Sequence, residues 1–127
     1  MDKTQIKSFT DLIAWQESHK LVLEIYKICK TFPNEERFGL ISQIQRAAIS
    51  ITSNIAEGFA RKSSKEKVNF YYIALGSLTE VQNQIITAKD LGYIHLLVFN
   101  KLSLDTINSQ KLINGLIKSA KTLKSHT

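Results

Sequence analysis

At 127 residues, 43% of them apolar and 22% charged, the chain has the size and composition of one globular domain, which excludes a disordered chain and leaves little room for a second core. One Pro and five Gly favour long helices with few turns, and a lone Cys29 excludes an intramolecular disulfide. The net charge of +6 permits binding to polyanions without establishing it.

The opening MDKTQIKSFTD carries charges where a secretory signal needs an apolar run, and no window approaches the ~20 continuous apolar residues of a membrane span. The sequence therefore reads as cytoplasmic, with no membrane partner. A first helix is expected over about 10–31: Thr10 or Asp11 caps it, and Phe32-Pro33-Asn34 stops it because the residue before Pro avoids the helical region. Leu12, Trp15, His19, Val22, Ile25, Tyr26 and Cys29 make its apolar side, so Cys29 reads as a buried structural thiol. A second helix is expected over about 35–60, with Glu35 and Glu36 matching the macrodipole at its start and Gly58 tolerating the left-handed conformation at its stop.

Ser63 followed by Glu66 is a capping-box pattern that opens a third helix over about 64–91. Its seam runs through Val68, Tyr71, Tyr72, Leu75, Leu78, Ile85 and Ile86, and Gly92 ends it. A fourth helix over about 96–123 uses Val98, Phe99, Leu102, Ile113, Leu116, Ile117, Ala120 and Leu123. Within it Ser103, Thr106, Asn108 and Ser109 form helix poorly, which predicts a bend or irregular turn. No stretch alternates as a half-buried strand does. The fold class is all-α: a single domain over 1–127 built as an antiparallel up-down-up-down four-helix bundle.

Two strips exceed what one bundle needs. Phe70, Ala74, Val81 and Ala88 lie on the third helix away from Val68, Tyr72 and Leu75, and Ile49, Ala56 and Ala60 lie on the second away from its main seam, near Ser42 and Ser53. A helix apolar on two sides needs neighbours on two sides. Either a compact bundle buries both, or copies of the chain self-associate; the second is the expectation.

Within Gln43–Gly58, Ile44, Ala48, Ile51, Ile55 and Phe59 recur at core-facing spacing, and Gln43, Arg46, Ser50, Asn54 and Glu57 recur as a polar stripe about 130° away. That stripe offers amide, hydroxyl and single opposite charges to water, a subunit or a ligand. Arg46, Asn54 and Glu57 are best read as structural partners of another helix or subunit, for instance Arg46 with Glu80, since buried polar groups must find partners.

The positive charge concentrates late in the chain, where 93–127 holds five Lys against Asp105 alone. Arg61, Lys62, Lys65 and Lys67 join a basic loop to a helix N-terminus and form one candidate phosphate contact; its plainer reading is a solvated turn capped by Ser63. Lys111, Lys118 and Lys121 share a side of the fourth helix and either extend that surface or simply face water. Neither patch shows interleaved aromatics, so contacts would go to phosphate with little sequence preference. Catalysis finds no support: His19, His95 and His126 are dispersed, no metal-ligand pair or nucleophile elbow appears, and mid-helix Gly76-Ser77 reads as a close-packing point. No cofactor is expected.

Phe9, Leu12, Trp15, Tyr26, Phe32-Pro33, Glu36-Arg37-Phe38-Gly39-Leu40, the Gln43–Gly58 segment and Arg61 form an ordered set. Ala74-Leu75-Gly76-Ser77-Leu78, Glu80 and Leu91-Gly92-Tyr93-Ile94 continue it. In these motifs, over roughly residues 9–94, the chain resembles the 23S rRNA intervening-sequence proteins, the S23 family. Two positions depart from the family pattern: Gln45 stands where a second Arg is common, removing a positive charge, and Thr52 stands where Pro is common, leaving the second helix straighter. The resemblance implies a bundle that assembles as a homopentamer and an association with RNA, because some members are encoded within 23S rRNA genes. A related branch, the accessory proteins of diversity-generating retroelements, implies a basic barrel working with a reverse transcriptase and nucleic acid. The expected function is non-enzymatic binding of RNA or DNA through basic surface charge, with a protein-interaction scaffold as the alternative.

Overall fold

The first departure from the sequence reading comes at the start of helix one. In the computed structural model, which describes residues 5–124, Phe9–Asp11 forms a short 3-10 turn and the helix proper, α1, spans Ile13–Cys29. Ser8 caps the turn, its Oγ accepting from the Thr10 N–H at 3.3 Å, whereas α1 starts from Leu12 with no side-chain cap, so neither Thr10 nor Asp11 caps it. The Asp11 carboxylate turns backward instead, accepting from the Lys7 and Ser8 N–H groups at 2.9 and 3.0 Å, and these bonds hold its pKa below the ordinary value.

Helix two also starts late. Asn34–Glu36 makes a separate 3-10 turn, and α2 spans Leu40–Ala60. The early acid still serves the helix, from outside it. Glu36 Oε1 accepts from the Leu40 N–H at 3.1 Å, while Oε2 accepts from the Tyr93 hydroxyl at 2.8 Å, tying the α2 start to the turn beyond the third helix. Helix α3 spans Ser64–Asp90, with Ser63 Oγ accepting from the Glu66 N–H at 3.1 Å as its cap, and Gly92 leaves it at φ 82°. Helix α4 spans Leu96–Lys124 without a break. The weak helix formers Thr106 and Ser109 are 1% and 0% exposed, so packing overrides propensity where a bend was expected.

Consecutive helices pack as neighbours and α1 closes against α4, giving the up-down-up-down bundle. No strand occurs among the described residues. Ile25, Ile44, Ile51, Ile55 and Ile113 are 0% exposed at the centre, each worth about 1.5–3 kcal/mol of burial. Cys29 lies in this core, where burial pushes its thiol pKa up to about 11 and keeps it unreactive.

The two glycines singled out in the sequence exchange roles. Gly58 is no left-handed stop, since Gly92 has the one positive φ among the described residues. A Cβ at Gly58 would lie 2.6 Å from Tyr71 Cε1, so this glycine lets α2 and α3 approach closely. Gly76, expected to pack, has nothing within 4 Å of where its Cβ would be.

The strip on α3 is also reassigned. Ala74, Val81 and Ala88 are 0% exposed and belong to the core with Tyr71, Leu78 and Ile85, while Tyr72 and Ile86 of the expected seam face outward. The α2 strip does lie outside: Ile49, Ser53 and Ala60 are exposed and Ala56 half-buried. Tyr26, expected on the core side of α1, is exposed beside it.

Candidate nucleic-acid interface

Antiparallel packing brings the last turn of α2, the loop Arg61–Ser63, the first turns of α3 and the last turns of α4 to one end of the bundle. Of the cations expected there, three are engaged. The Arg61 guanidinium lies 3.0 Å from Glu57 Oε2 and 4.7 Å from the centre of the Phe70 ring. Lys67 donates to the Phe59 carbonyl at 2.7 Å and approaches the Gly58 carbonyl at 3.4 Å, closing the α2 C-terminus from the next helix. Burial draws its pKa down, and its ammonium is 5.4 Å from the Phe59 ring centre. Lys121 donates to the Tyr72 hydroxyl at 3.2 Å, joining α4 to α3.

Lys62, Lys65, Lys111 and Lys118 are exposed, and their side chains have no hydrogen bond or ion pair among the described residues. Lys62 and Lys65 adjoin the loop, and Lys118 lies one turn from Lys121. Lys111 sits about 15 Å from Lys121 along α4, on the side of the bundle rather than its end.

The polar stripe splits in two. Asn54 Nδ2 donates to the Ser50 carbonyl at 2.8 Å and to its Oγ at 3.0 Å, and Ser50 Oγ lies 2.7 Å from Ser77 Oγ across the α2–α3 joint. Glu57 finds Arg61 one turn on, a partner the i,i+4 spacing already offered. Gln43 and Arg46 instead line a cavity of about 280 Å³ with Ser77, Glu80 and Gln84. Arg46 and Glu80 share this cavity without forming an ion pair, and Gln84 Oε1 is buried there without a partner. About 20 Å of helix separates Arg46 from Arg61, so Gln43 and Arg46 stand apart from the basic end.

Sequence reasoning missed the aromatic side chains at that end. Tyr72, assigned to the seam, is 49% exposed beside Lys65 and Lys121, and Phe59 and Phe70 each lie against a cation. It also missed a groove of about 820 Å³ beside α2, bounded by Tyr26, Phe38, Ile41, Ile49 and Arg46, in which Phe38 is 88% exposed. The signal was present in Ile49, an apolar residue that lies off the main α2 seam. No group of three His, Cys, Asp or Glu capable of holding a metal occurs among the described residues, and none of their helices is long and apolar enough to cross a membrane.

The family model of the 23S rRNA-intervening sequence protein matches residues 10–115. A solved structure of a protein of unknown function from the S23 ribosomal protein family of Bacteroides thetaiotaomicron VPI-5482 is similar, with a TM-score of 0.77 and 25% identity over 84% of this chain and 96% of that one. No curated protein matches.

Proposed function

The chain belongs to the 23S rRNA-intervening sequence protein family, and from that premise we propose that it is a cytosolic, non-enzymatic bundle that binds RNA or other nucleic acid through its basic end. The observation that carries this reading is the convergence of Arg61 and Lys62 from the α2–α3 loop, Lys65 from α3, and Lys118 and Lys121 from α4 on one end, with Lys62, Lys65 and Lys118 free of any acidic partner among the described residues. Such charges bind phosphate by releasing counterions, without reading sequence. Lys67 supports the surface from behind, holding α2 to α3, and Lys111 lies too far along α4 to share the same phosphates.

The test is RNA affinity against salt concentration. Affinity falls steeply with added salt, and Lys62→Gln and Lys65→Gln each reduce the slope by about 1 across unrelated sequences. Undiminished binding at high salt, or none at low salt, overturns the reading.

A specific observation favours a companion reading in which the partner is protein. The outer face of α2 adjoins the Tyr26–Phe38–Ile41–Ile49 groove, whose lining also includes Arg37 and Arg46 but no acid, and together they expose several large apolar side chains. We propose that copies of the chain assemble there, five by resemblance to the family. A reverse transcriptase or another protein is the competing occupant. Light scattering separates them: a particle about five times the 14.4 kDa chain supports assembly, and a single-chain mass at micromolar concentration removes it.

A further inference from the structure

We propose that Tyr72 is a stacking platform for an unpaired nucleobase, which makes single-stranded nucleic acid the preferred ligand of the basic end. The inference rests on the nucleic-acid reading above and goes further, to the kind of strand bound. Of the rings at this end that lie near a cation, Phe59 and Phe70 are half-buried and lie against Lys67 and Arg61. Tyr72 differs from both. The residue is 49% exposed, and Lys121 Nζ lies 3.2 Å from its hydroxyl but 5.5 Å from the ring centre, so the ammonium sits beyond the phenol edge instead of over a face.

The ring opens on a cavity of about 350 Å³ lined by Lys65, Glu66, Val68, Asn69 and Tyr72. Each neighbour has a use. Val68 supplies apolar surface beside the ring, and the Asn69 amide offers both a donor and an acceptor to a base edge. Lys65 lines the cavity and Lys121 meets the Tyr72 hydroxyl, so positive charge lies close to the ring, where the phosphates before and after a stacked base would run. Glu66 is the one acid lining the cavity, and it directs the phosphate path toward the lysines. In a duplex both faces of every internal base are covered by neighbours, so only a strand, loop or end can lay a base on this ring. Stacking is tolerant of base identity because every base has a π-face.

Fluorescence anisotropy at low salt tests this with two labelled probes carrying equal numbers of phosphates, an oligoadenylate strand and a hairpin duplex. The protein should prefer the strand. Y72A should weaken strand binding about ten-fold while leaving duplex binding and the circular-dichroism melt in place. Y72W should restore strand binding, with its added indole emission quenched by the strand and not by the duplex. Equal strand affinity for Y72A and the parent overturns the stacking role, while the basic-end reading survives if Lys62→Gln and Lys65→Gln still weaken both probes. A loss of strand and duplex binding in equal measure also overturns it. No binding of either probe at low salt overturns both readings. Polyglutamate binding that depends on Tyr72 as strongly as the strand does would overturn it in favour of an acidic protein partner.

Discussion

On α3, Ala74, Val81 and Ala88 are 0% exposed; on α2, Ile49 is 43% exposed, and Ser53 and Ala60 are exposed beside it. Both strips look in sequence like a second apolar side. Yet Tyr71, Ala74, Leu78, Val81, Ile85 and Ala88 recur at steps of three and four, a single core seam whose small members are easily taken for a separate strip. Tyr72 and Ile86 attract attention by size and lie outside. On α2 the seam is already complete in Ile44, Ala48, Ile51 and Ile55, so Ile49 and Ala60 fall beyond it. Unbroken spacing identifies the buried face more reliably than bulk does.

The sharpest way to break the contrast is to charge both strips. Val81→Asp buries a carboxylate without a partner and should cost about 4 kcal/mol or more, enough to unfold a domain of ordinary stability. Ile49→Asp should change single-chain stability by no more than about 0.5 kcal/mol while reducing the light-scattering mass, if copies meet on α2. Denaturant titration reads the first effect and scattering the second. Equal destabilisation by both would erase the distinction.

A smaller effect is expected where the two helices meet. Gly58→Ala sets a Cβ 2.6 Å from Tyr71 Cε1, and because Tyr71 is itself 3% exposed it has little room to yield. The cost should be about 1–3 kcal/mol, read as a lower denaturation midpoint with unchanged slope. An unchanged midpoint would mean that the α2–α3 joint is looser than its geometry implies.

Much of the bundle was legible because its determinants are local. The Ser63 cap, the third and fourth helix limits and most of the α1 and α2 seam follow from periodicity and end signals within a few residues. The misses need distant partners. Nothing near Lys67 says that its ammonium will close a helix eight residues back, and nothing near Glu36 indicates Tyr93, 57 residues on. The two late helix starts are related, since Asp11 and Glu36 both lie before the helices proper and bond backbone N–H groups there: Asp11 those of Lys7 and Ser8, Glu36 that of Leu40. At the candidate site, sequence gave the cations but not their commitments. Even the Arg61–Glu57 pair, although its i,i+4 spacing permits it, runs against the expectation that Glu57 partners another helix or subunit.

Lys67 and Lys62 bring the comparison down to two cations near one loop. Removing Lys67 leaves the Phe59 carbonyl without its 2.7 Å donor, so Lys67→Ala should cost about 1 kcal/mol in a denaturant titration. Lys62→Ala should leave stability within about 0.5 kcal/mol and act on the salt dependence of RNA binding instead. A stability loss at Lys62, or none at Lys67, reverses the assignment of the two.

The smallest effect belongs to the outer face of α3. Gly76 is exposed within a helix and has open space around it, so Gly76→Ala meets no clash and replaces the residue that loses most conformational freedom on folding. It should therefore stabilise the chain by up to about 1 kcal/mol, the reverse of Gly58→Ala. The same position separates the outer faces of α3 and α2. Gly76→Trp should leave the scattering mass unchanged, because no assembly is proposed on that face, whereas Ser53→Trp should lower it by placing a bulky ring among the small residues of α2. If Gly76→Trp alone dissociates the particle, α3 and not α2 presents the contact between copies, and the uncharged strip on α2 is left for a different protein.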